Sequence, residues 1–422
     1  MLYLSRIIDT EIQEKLAVTG AVYIRGPKWC GKTTSAKQVA KSVLEMQNPD
    51  LQENYLELAT IKPSLLLEGE KPRLIDEWQL APKLWNAVRY AVDKASRPAQ
   101  YILTGSSTPI EDDTLHSGTG RFAFITMKPM TLFESGDSNG SVSITDLLSG
   151  NADIDGKRTN LTYEKTAHVL CRGGWPGAIG LDDKNALGIP KNYLDALCES
   201  DISKVDGVKR NPALTRAILK SYARQVSTIN TNKSLYEDIR ANYADVSDRT
   251  VSDYLNVLQK LFIIEEIEAW NPNIRSKTSM RASPKKSMVD PSLAVAALGC
   301  TPEEIIHDTI TFGYLFENLV NRDLTVYVNS IGGSLRHYRD RYGLECDNVI
   351  NFNNGKYALV ETKLGGSRIK EAEEHLISLK NLITLNEPRL GVPAFMMIVT
   401  GTDMAYTAES GVLIVPIGCL KN

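Results

Sequence analysis

The segment Gly26-Pro27-Lys28-Trp29-Cys30-Gly31-Lys32-Thr33 constrains the fold of this chain more than any other stretch of the sequence. It matches the phosphate-loop pattern G-x-x-x-x-G-K-[ST] at every position. Residues 21–24 before it form an apolar run typical of a buried strand, and residues 34–44 after it carry apolar side chains at helical spacing. A glycine loop between a strand and a helix N-terminus is where backbone N–H groups surround phosphate oxygens. The segment therefore predicts an α/β domain that binds a nucleoside triphosphate.

The residues of this loop have separate predicted roles. The two glycines let the backbone curl so that its N–H groups point at phosphate oxygens. Lys32 is predicted to reach the β- and γ-phosphates, and the hydroxyl of Thr33 is predicted to bind Mg²⁺. The predicted nucleotide-binding residues are those of the loop and the one that follows it: Gly26, Pro27, Lys28, Trp29, Cys30, Gly31, Lys32, Thr33 and Thr34.

Length and composition limit the remaining possibilities. A chain of 422 residues predicts two or three domains, and 42% hydrophobic with 23% charged residues is typical of soluble globular proteins. The net charge of −3 gives no global electrostatic reason to expect a nucleic-acid partner, so any such attraction has to be local. Six cysteines without a C-x-x-C pair predict free thiols in a reducing compartment. Because no signal-peptide or membrane-spanning pattern is present, we expect a cytoplasmic protein without a membrane partner.

Two adjacent carboxylates lie at the end of another predicted strand, further along the chain from the phosphate loop. They lie in Arg73-Leu74-Ile75-Asp76-Glu77-Trp78-Gln79, about forty residues after the loop. In P-loop hydrolases an Asp at this point holds Mg²⁺, and a neighbouring acid activates the attacking water. The sequence therefore predicts Asp76 as a metal ligand and Glu77 as the general base.

A further strand, predicted at residues 101–103, ends in Thr104-Gly105-Ser106-Ser107. A hydroxyl at this position commonly lies between the metal-binding carboxylate and the γ-phosphate. Thr104 or Ser106 fits that role, and Thr104 is the residue predicted to be catalytic. Ordinary turn hydroxyls are the other interpretation of both.

Several motifs in order resemble those of a prokaryotic AAA+ ATPase family. They are Gly-Pro-x-x-x-Gly-Lys-Thr-Thr, Leu-Ile-Asp-Glu-Trp-Gln, Leu-Thr-Gly-Ser-Ser and Ser-Gly-x-Gly-Arg, and residues 128–134 and 172–176 are also similar to segments of that family. In that family the ATPase precedes a C-terminal region catalogued as domain of unknown function 4143. The resemblance is close over residues 20–135 and looser over most of the chain. It implies hydrolysis of ATP with Mg²⁺.

The arginine before the strand predicted at residues 123–127 resembles the arginine finger of AAA+ ATPases. The resemblance implies that Arg121 completes the site of a neighbouring subunit in a homo-oligomer. An ordinary surface arginine is the alternative.

The rest of the chain predicts a helical middle and a second α/β domain. The predicted domains are a P-loop AAA+ core at 1–135, an irregular connection with a helical lid at 136–205, a winged-helix-like domain at 206–295 and a nuclease-like domain at 296–422. Predicted helices at 213–225, 235–241 and 248–261, followed by a β-prone run at 262–268, give the winged-helix pattern. The basic stretch 271–289, with Arg275, Lys277, Arg281, Lys285 and Lys286, fits a wing against DNA phosphates or a solvated loop.

Four residues near the C-terminus form a second candidate site. Glu317 lies on a predicted helix, Asp347 on a predicted strand, and Glu361 and Lys363 share one face of the next strand. In this order they resemble the PD-(D/E)XK nucleases, whose fold is that of restriction endonucleases. In those enzymes the carboxylates bind Mg²⁺ and the lysine orients water. A surface salt-bridge cluster on an inactive scaffold of the same fold is the alternative.

The sequence thus predicts Mg²⁺-dependent ATP hydrolysis that drives, or is gated by, a C-terminal region that handles nucleic acid, with DNA as a candidate partner. A second hypothesis is a STAND-like nucleotide-switched interaction protein whose nuclease-like domain is inactive. A third is a nuclease-like toxin or defence effector that the ATPase releases.

Overall fold

The computed structural model describes residues 3–106, 118–272, 283–340 and 343–422. Two compact units are present. Unit 1 contains Met1–Pro129, Ser200–Lys209 and Asn256–Ile263. Unit 2 contains Met130–Glu199, Arg210–Leu255 and Ile264–Asn422.

Among its described residues, unit 1 is built on five parallel strands in the order β2-β3-β4-β1-β5. Because all strands run in the same direction, their carboxyl ends lie at one edge of the sheet, where the phosphate loop begins. The strands are β1 (Ala21–Arg25), β2 (Ser42–Glu45), β3 (Arg73–Asp76), β4 (Tyr101–Gly105) and β5 (Phe122–Thr126). The accompanying helices are α1 (Ile8–Val18), α2 (Lys32–Val39), α3 (Gln52–Ile61) and α4 (Lys83–Ala95).

Aromatic packing on one face of this sheet fixes the strands that carry the site. The ring of Tyr23 on β1 lies edge-on to Trp78 and Trp85, at centroid distances of 5.6 and 5.9 Å. Trp85 in turn stacks on Phe122 of β5 at 4.0 Å. Such pairs stabilise a core beyond the area they bury, so this face of the sheet holds β1 and β5 and the segment after β3 in fixed relation.

The structure confirms the strands predicted at 21–24, 101–103 and 123–127 and the strand that ends at Asp76. From the sequence alone, residues 54–58 predict a short strand, which is wrong because these residues lie within α3. Their apolar members recur at helical rather than alternating spacing, and Tyr55, Leu58 and Ala59 face the same core. The helical spacing over residues 34–44 is wrong at its end: α2 ends at Val39, and residues 42–44 belong to the edge strand β2, which the sequence does not predict.

The helices and short strands from Met130 onward begin with α5 and β6. The helices are α5 (Ile144–Ser149), α6 (Tyr163–Arg172), α7 (Asp183–Ala196), α8 (Ile202–Lys204), α9 (Pro212–Ala223), α10 (Asn232–Arg240), α11 (Asp248–Lys260), α12 (Pro291–Leu298), α13 (Pro302–His307), α14 (Thr309–Ser330) and α15 (Ile369–Asn386). The strands are β6 (Val142–Ser143), β7 (Ile264–Ile267), β8 (Lys285–Met288), β9 (Gly333–Arg339), β10 (Glu345–Phe352), β11 (Tyr357–Lys363), β12 (Met396–Thr400), β13 (Tyr406–Thr407), β14 (Leu413–Pro416) and β15 (Leu420–Lys421). No helix among the described residues is long and apolar enough to span a membrane.

The main sheet of unit 2 has the strand order β13-β14-β12-β11-β10-β9 among the described residues. Strands β9, β10 and β11 are antiparallel, whereas β11, β12 and β14 are parallel. Helix α15 makes the crossover that the parallel pair of β11 and β12 requires. The register between β9 and β10 shifts between Cys346 and Val349, which is the irregular stretch that contains Asp347.

The helices and strand predicted for residues 212–268 are present as α9, α10, α11 and β7, and β7 pairs with β8 in antiparallel fashion. The winged-helix assignment of these elements stays a prediction. One part of the basic-stretch interpretation is wrong: Lys285 and Lys286 are only 3% and 1% exposed, so they line neither a DNA-facing wing nor a solvated loop. Arg275, Lys277 and Arg281 lie outside the described residues.

A buried ion network joins the segments of unit 2 that resemble family motifs. The backbone N–H of Met130 donates to Gly174 O at 2.6 Å, and the N–H of Gly174 donates to Asp290 at 3.0 Å. Arg322 donates to Asp290 and Asp323, each at 2.8 Å, and all three side chains are at most 1% exposed. A Cβ atom at Gly174 would lie 2.0 Å from Met130 O, which explains the glycine.

Candidate functional site

The loop between β1 and α2 has the backbone geometry that the phosphate-loop pattern predicts. Gly26 has a φ of +152°, and a Cβ atom there would lie 2.2 Å from Met127 O. Gly31 has a φ of +103° and directly precedes α2, whose first N–H groups face the loop side. The buried ammonium of Lys32 donates to the carbonyl oxygens of Gly26 at 3.0 Å and Pro27 at 2.7 Å. These contacts hold the cation over the loop.

Sequence reasoning missed a residue that braces this loop from the N-terminal segment. The guanidinium of Arg6 donates to Cys30 O at 2.7 Å and to Lys128 O at 2.8 Å, and Arg6 is buried. One cation therefore fixes a carbonyl of the phosphate loop relative to the segment that follows β5. No sequence rule connects an arginine before α1 to a loop more than twenty residues later.

Two hydroxyl groups meet one carboxylate oxygen at the carboxyl edge of the sheet. Thr33 Oγ1 donates to Asp76 Oδ1 at 2.6 Å, and Thr104 Oγ1 donates to the same oxygen at 2.5 Å. Strand β4 lies between β1 and β3, so Thr104 at its end is interposed between the phosphate loop and Asp76. Hydroxyl and carboxylate oxygens are the ligands that Mg²⁺ prefers. The residues present therefore fit a magnesium ion.

The second predicted carboxylate has different partners. Glu77 adopts a left-handed backbone conformation with φ of +53°. Its Oε2 accepts a hydrogen bond from Ser106 Oγ at 3.0 Å and another from Gln79 Nε2. The two hydroxyls that the sequence left as alternatives thus contact different acids: Thr104 contacts Asp76, and Ser106 contacts Glu77.

Two further predicted residues of unit 1 form ion pairs. Arg121 donates to Asp93 on α4 at 2.7 Å and to Thr119 O at 3.1 Å, and its side chain is about half exposed. Lys28 pairs with Asp201 at 2.7 Å. The trans role of Arg121 stays a prediction, since an exposed arginine with a neighbouring acid is compatible with both interpretations.

The structure brings together all four residues of the predicted nuclease-like cluster in unit 2, with a fifth that was not predicted. Lys363 Nζ lies 2.8 Å from Glu361 and 3.7 Å from Asp347. Lys285 Nζ on β8 donates to Glu317 Oε1 at 2.6 Å and to the backbone oxygen of Asp347 at 2.8 Å. It also lies 3.8 Å from Asp347 Oδ1.

Burial governs the titration of this cluster. It raises the pKa of Glu317 to about 7, against the opposing effect of Lys285. Burial, together with the Asp347 carboxylate, raises the pKa of Glu361 to about 8. Burial also opposes ionisation of Asp347, but the ammonium groups of Lys285 and Lys363 outweigh it and lower the pKa of that carboxyl.

Magnesium, which the nuclease resemblance implies, does not fit this arrangement. The ammonium of Lys285 contacts both Glu317 and Asp347, so a divalent cation shared by these two acids would lie against it. Within the described ranges, no group of three or more His, Cys, Asp or Glu side chains is placed to hold a metal ion. The acids of this cluster are compensated by lysines of the same chain.

Three family models match separate parts of the chain. An AAA domain matches residues 18–135, a domain of unknown function (DUF8612) matches residues 163–304, and a domain of unknown function (DUF4143) matches residues 312–420. The chain therefore contains an AAA domain and a DUF4143 domain. The AAA domain supports ATP binding and hydrolysis.

Curated relatives include uncharacterized proteins of Mycobacterium tuberculosis (strain ATCC 25618 / H37Rv) and Mycobacterium bovis (strain ATCC BAA-935 / AF2122/97). Each is 23% identical over 424 residues, which covers 95% of this chain and 86% of the relative. Among solved structures, a Walker-type ATPase of Pyrococcus abyssi has a TM-score of 0.40 at 16% identity, covering 70% of this chain and 96% of that one. A signal transduction ATPase with numerous domains and a tetratricopeptide repeat sensor, from Pyrococcus horikoshii, has a TM-score of 0.21 at 12% identity. The match covers 78% of this chain and 50% of that one.

Proposed function

We propose that this protein hydrolyses ATP in a Mg²⁺-dependent reaction at the edge of the unit 1 sheet. The observation that carries the proposal is the convergence of Thr33 and Thr104 on one oxygen of Asp76. The three side chains come from separate segments of the chain, and their meeting follows from the strand order. The AAA domain over residues 18–135 supports the same function.

In this proposal the phosphate loop binds the β- and γ-phosphates of the substrate. The backbone N–H groups of the loop and of the start of α2 donate to phosphate oxygens. Lys32 exchanges its bonds with the carbonyls of Gly26 and Pro27 for bonds with the phosphates. When bound, Mg²⁺ would be held by Thr33 and Asp76, and it supplies positive charge against the phosphate oxygens.

Glu77 is the proposed general base. Its carboxylate accepts a proton from the attacking water, and Ser106 and Gln79 orient it by donating to Oε2. Thr104 holds the neighbouring Asp76 carboxylate in place. Each acid therefore has its own hydroxyl donor, which keeps the metal-binding and proton-accepting groups apart.

Two variants test this assignment. Lys32→Ala should abolish nucleotide binding or turnover, and Glu77→Gln should bind ATP but lower kcat by about 10²- to 10⁴-fold. Binding is measured with a fluorescent ATP analogue and turnover by phosphate release. Lys37→Ala on the same helix is the matched control, because Lys37 is exposed and pairs with Glu45. Normal turnover of Lys32→Ala would refute the phosphate-binding role.

For the C-terminal region we infer a scaffold or interaction role under nucleotide control rather than DNA cleavage. The specific observation is the ammonium of Lys285 within the acidic cluster, which disfavours Mg²⁺ there. Supercoiled plasmid incubated with the protein, ATP and Mg²⁺ should remain intact on a gel, and added DNA should leave the ATPase rate unchanged. A nicked or linear product that disappears in Asp347→Asn would instead establish a nuclease.

A further inference from the structure

The central cation of the acidic cluster in unit 2 is a lysine that does not belong to the main sheet of that unit. Lys285 lies on β8, whose partner strand is β7, and its ammonium is almost fully buried. Two of its contacts are short: 2.6 Å to Glu317 on α14 and 2.8 Å to the backbone oxygen of Asp347 on β10. An ammonium has three donors and no acceptor, so it can bind several oxygens at once as a small cation does.

The charges of the cluster explain why this lysine is retained in a buried position. Glu317, Asp347 and Glu361 bring three carboxyl groups close together, and Lys363 contacts two of them. Without Lys285, the nearly buried Glu317 would lose its hydrogen-bonded cation and keep only the charge of Lys363 to offset its own. Unpaired buried charges are costly, whereas a hydrogen-bonded pair is tolerated.

We propose that Lys285 is the resident cation of this cluster and that it excludes divalent metal ions from it. The inference rests on the scaffold role proposed for the C-terminal region. A divalent ion bound by Glu317 and Asp347 would lie against the ammonium of Lys285, which already contacts both acids. Two positive charges in direct contact repel each other strongly where water is largely excluded. Metal entry therefore requires Lys285 to leave.

Removing the charge of Lys285 should create a metal site. The test uses Mn²⁺ alone with the full-length, nucleotide-free protein, and binding is followed by electron paramagnetic resonance. All samples carry Asp76→Asn, so that the phosphate-loop site does not contribute. We expect no stoichiometric Mn²⁺ in that background and one Mn²⁺ per chain, bound at least tenfold more tightly, once Lys285→Met is added. Adding Asp347→Asn should abolish the new site.

The matched control is Lys286→Met. Lys286 is the next residue on β8 and is equally buried, but it donates to Asn232 at 2.6 Å and lies over the ring of Tyr222. The Lys286→Met protein should therefore gain no Mn²⁺ site. Equal binding with and without Lys285→Met, or no binding in a folded Lys285→Met protein, would overturn the proposal.

A second comparison keeps the inference testable if Lys285→Met does not fold. With Lys285 in place, Asp347→Asn should leave Mn²⁺ binding unchanged, because the cluster takes no metal in that state. A Mn²⁺ site that Asp347→Asn removes from the protein with intact Lys285 would refute exclusion by the lysine. Mn²⁺ binding without plasmid cleavage would refute the exclusion alone, whereas plasmid cleavage that depends on Asp347 would also refute the scaffold role.

Discussion

Replacing Thr104 by valine isolates a single hydrogen bond at the proposed ATPase site. Thr104 is fully buried, and its hydroxyl donates to Asp76 Oδ1 at 2.5 Å. Valine keeps the shape of the side chain and removes the donor. A hydrogen bond to a charged group contributes about 1.5–3 kcal/mol. Since about 1.4 kcal/mol corresponds to a tenfold rate change, kcat should fall roughly 10- to 150-fold.

The binding of ATP should change much less than turnover. Thr33 still donates to the same oxygen of Asp76 at 2.6 Å, and the phosphate loop is untouched. Phosphate release gives kcat and KM, and a fluorescent ATP analogue gives the dissociation constant. Thr104→Ser, which retains the hydroxyl, is the control and should lie within a few-fold of the wild type.

Two outcomes would contradict this reasoning. A Thr104→Val rate within twofold of the wild type would mean that the bond to Asp76 does not assist the reaction. A raised KM with unchanged kcat would mean that Thr104 contributes to ground-state binding alone. In the second case Thr104, which lies between the phosphate loop and Asp76, would contribute to the binding of ATP and not to its turnover.

Three other predictions concern assembly, stability and titration. If Arg121 acts in trans, mixing Arg121→Ala with Lys32→Ala subunits should recover part of the ATPase rate that each lacks alone; no recovery at any ratio would favour an ordinary surface arginine. Arg322→Met leaves two buried aspartates unpaired and should lower the free energy of unfolding by about 3–5 kcal/mol in urea. Arg158 pairs with Asp403, and its side chain is 65% exposed, so Arg158→Met should change the free energy of unfolding by less than about 1 kcal/mol. Because the pKa of Glu361 is raised from 4.5 to about 8, its contribution to stability is complete below pH 4.5 and is lost as pH rises through about 8. Through this group the unfolding free energy should therefore fall between about pH 4.5 and 8, and Glu361→Gln should flatten that slope; an equal slope in both proteins would contradict it.

The features of unit 1 that are predicted correctly from the sequence are those that neighbouring residues in the chain determine. A glycine loop between an apolar strand and a helix is specified by adjacent residues, as is an acid that ends a short apolar strand. The strand order is set by packing of distant segments; it places the end of β4 beside that of β3, where Thr104 contacts Asp76 and Ser106 contacts Glu77. The spacing of hydroxyls in one turn carries no information on that choice.

The same distinction explains what was missed. Glu361 and Lys363 were found because alternation along one strand puts them on one face. Lys285 belongs to a basic stretch whose composition fits solvated residues, but it is buried, and its ammonium contacts Glu317 and the backbone oxygen of Asp347. Arg6 likewise gains its role from a tertiary contact with Cys30 O. Long polar side chains contact partners that are distant in the sequence, and the periodicity of neighbouring residues does not predict such contacts.

The two acidic sites differ in the donors that their carboxylates receive, and this difference decides which of them suits a metal ion. In unit 1 the donors to Asp76 and Glu77 are hydroxyl and amide groups, and Lys32 binds backbone carbonyls. Neutral donors orient a carboxylate without cancelling its charge, so these carboxylates keep the negative charge that the proposed Mg²⁺ site needs. In unit 2 the donors include the ammonium groups of Lys285 and Lys363, which cancel that charge within the chain. Carboxylates alone are therefore a poor guide to metal chemistry, and the charge of their hydrogen-bond donors has to be counted with them.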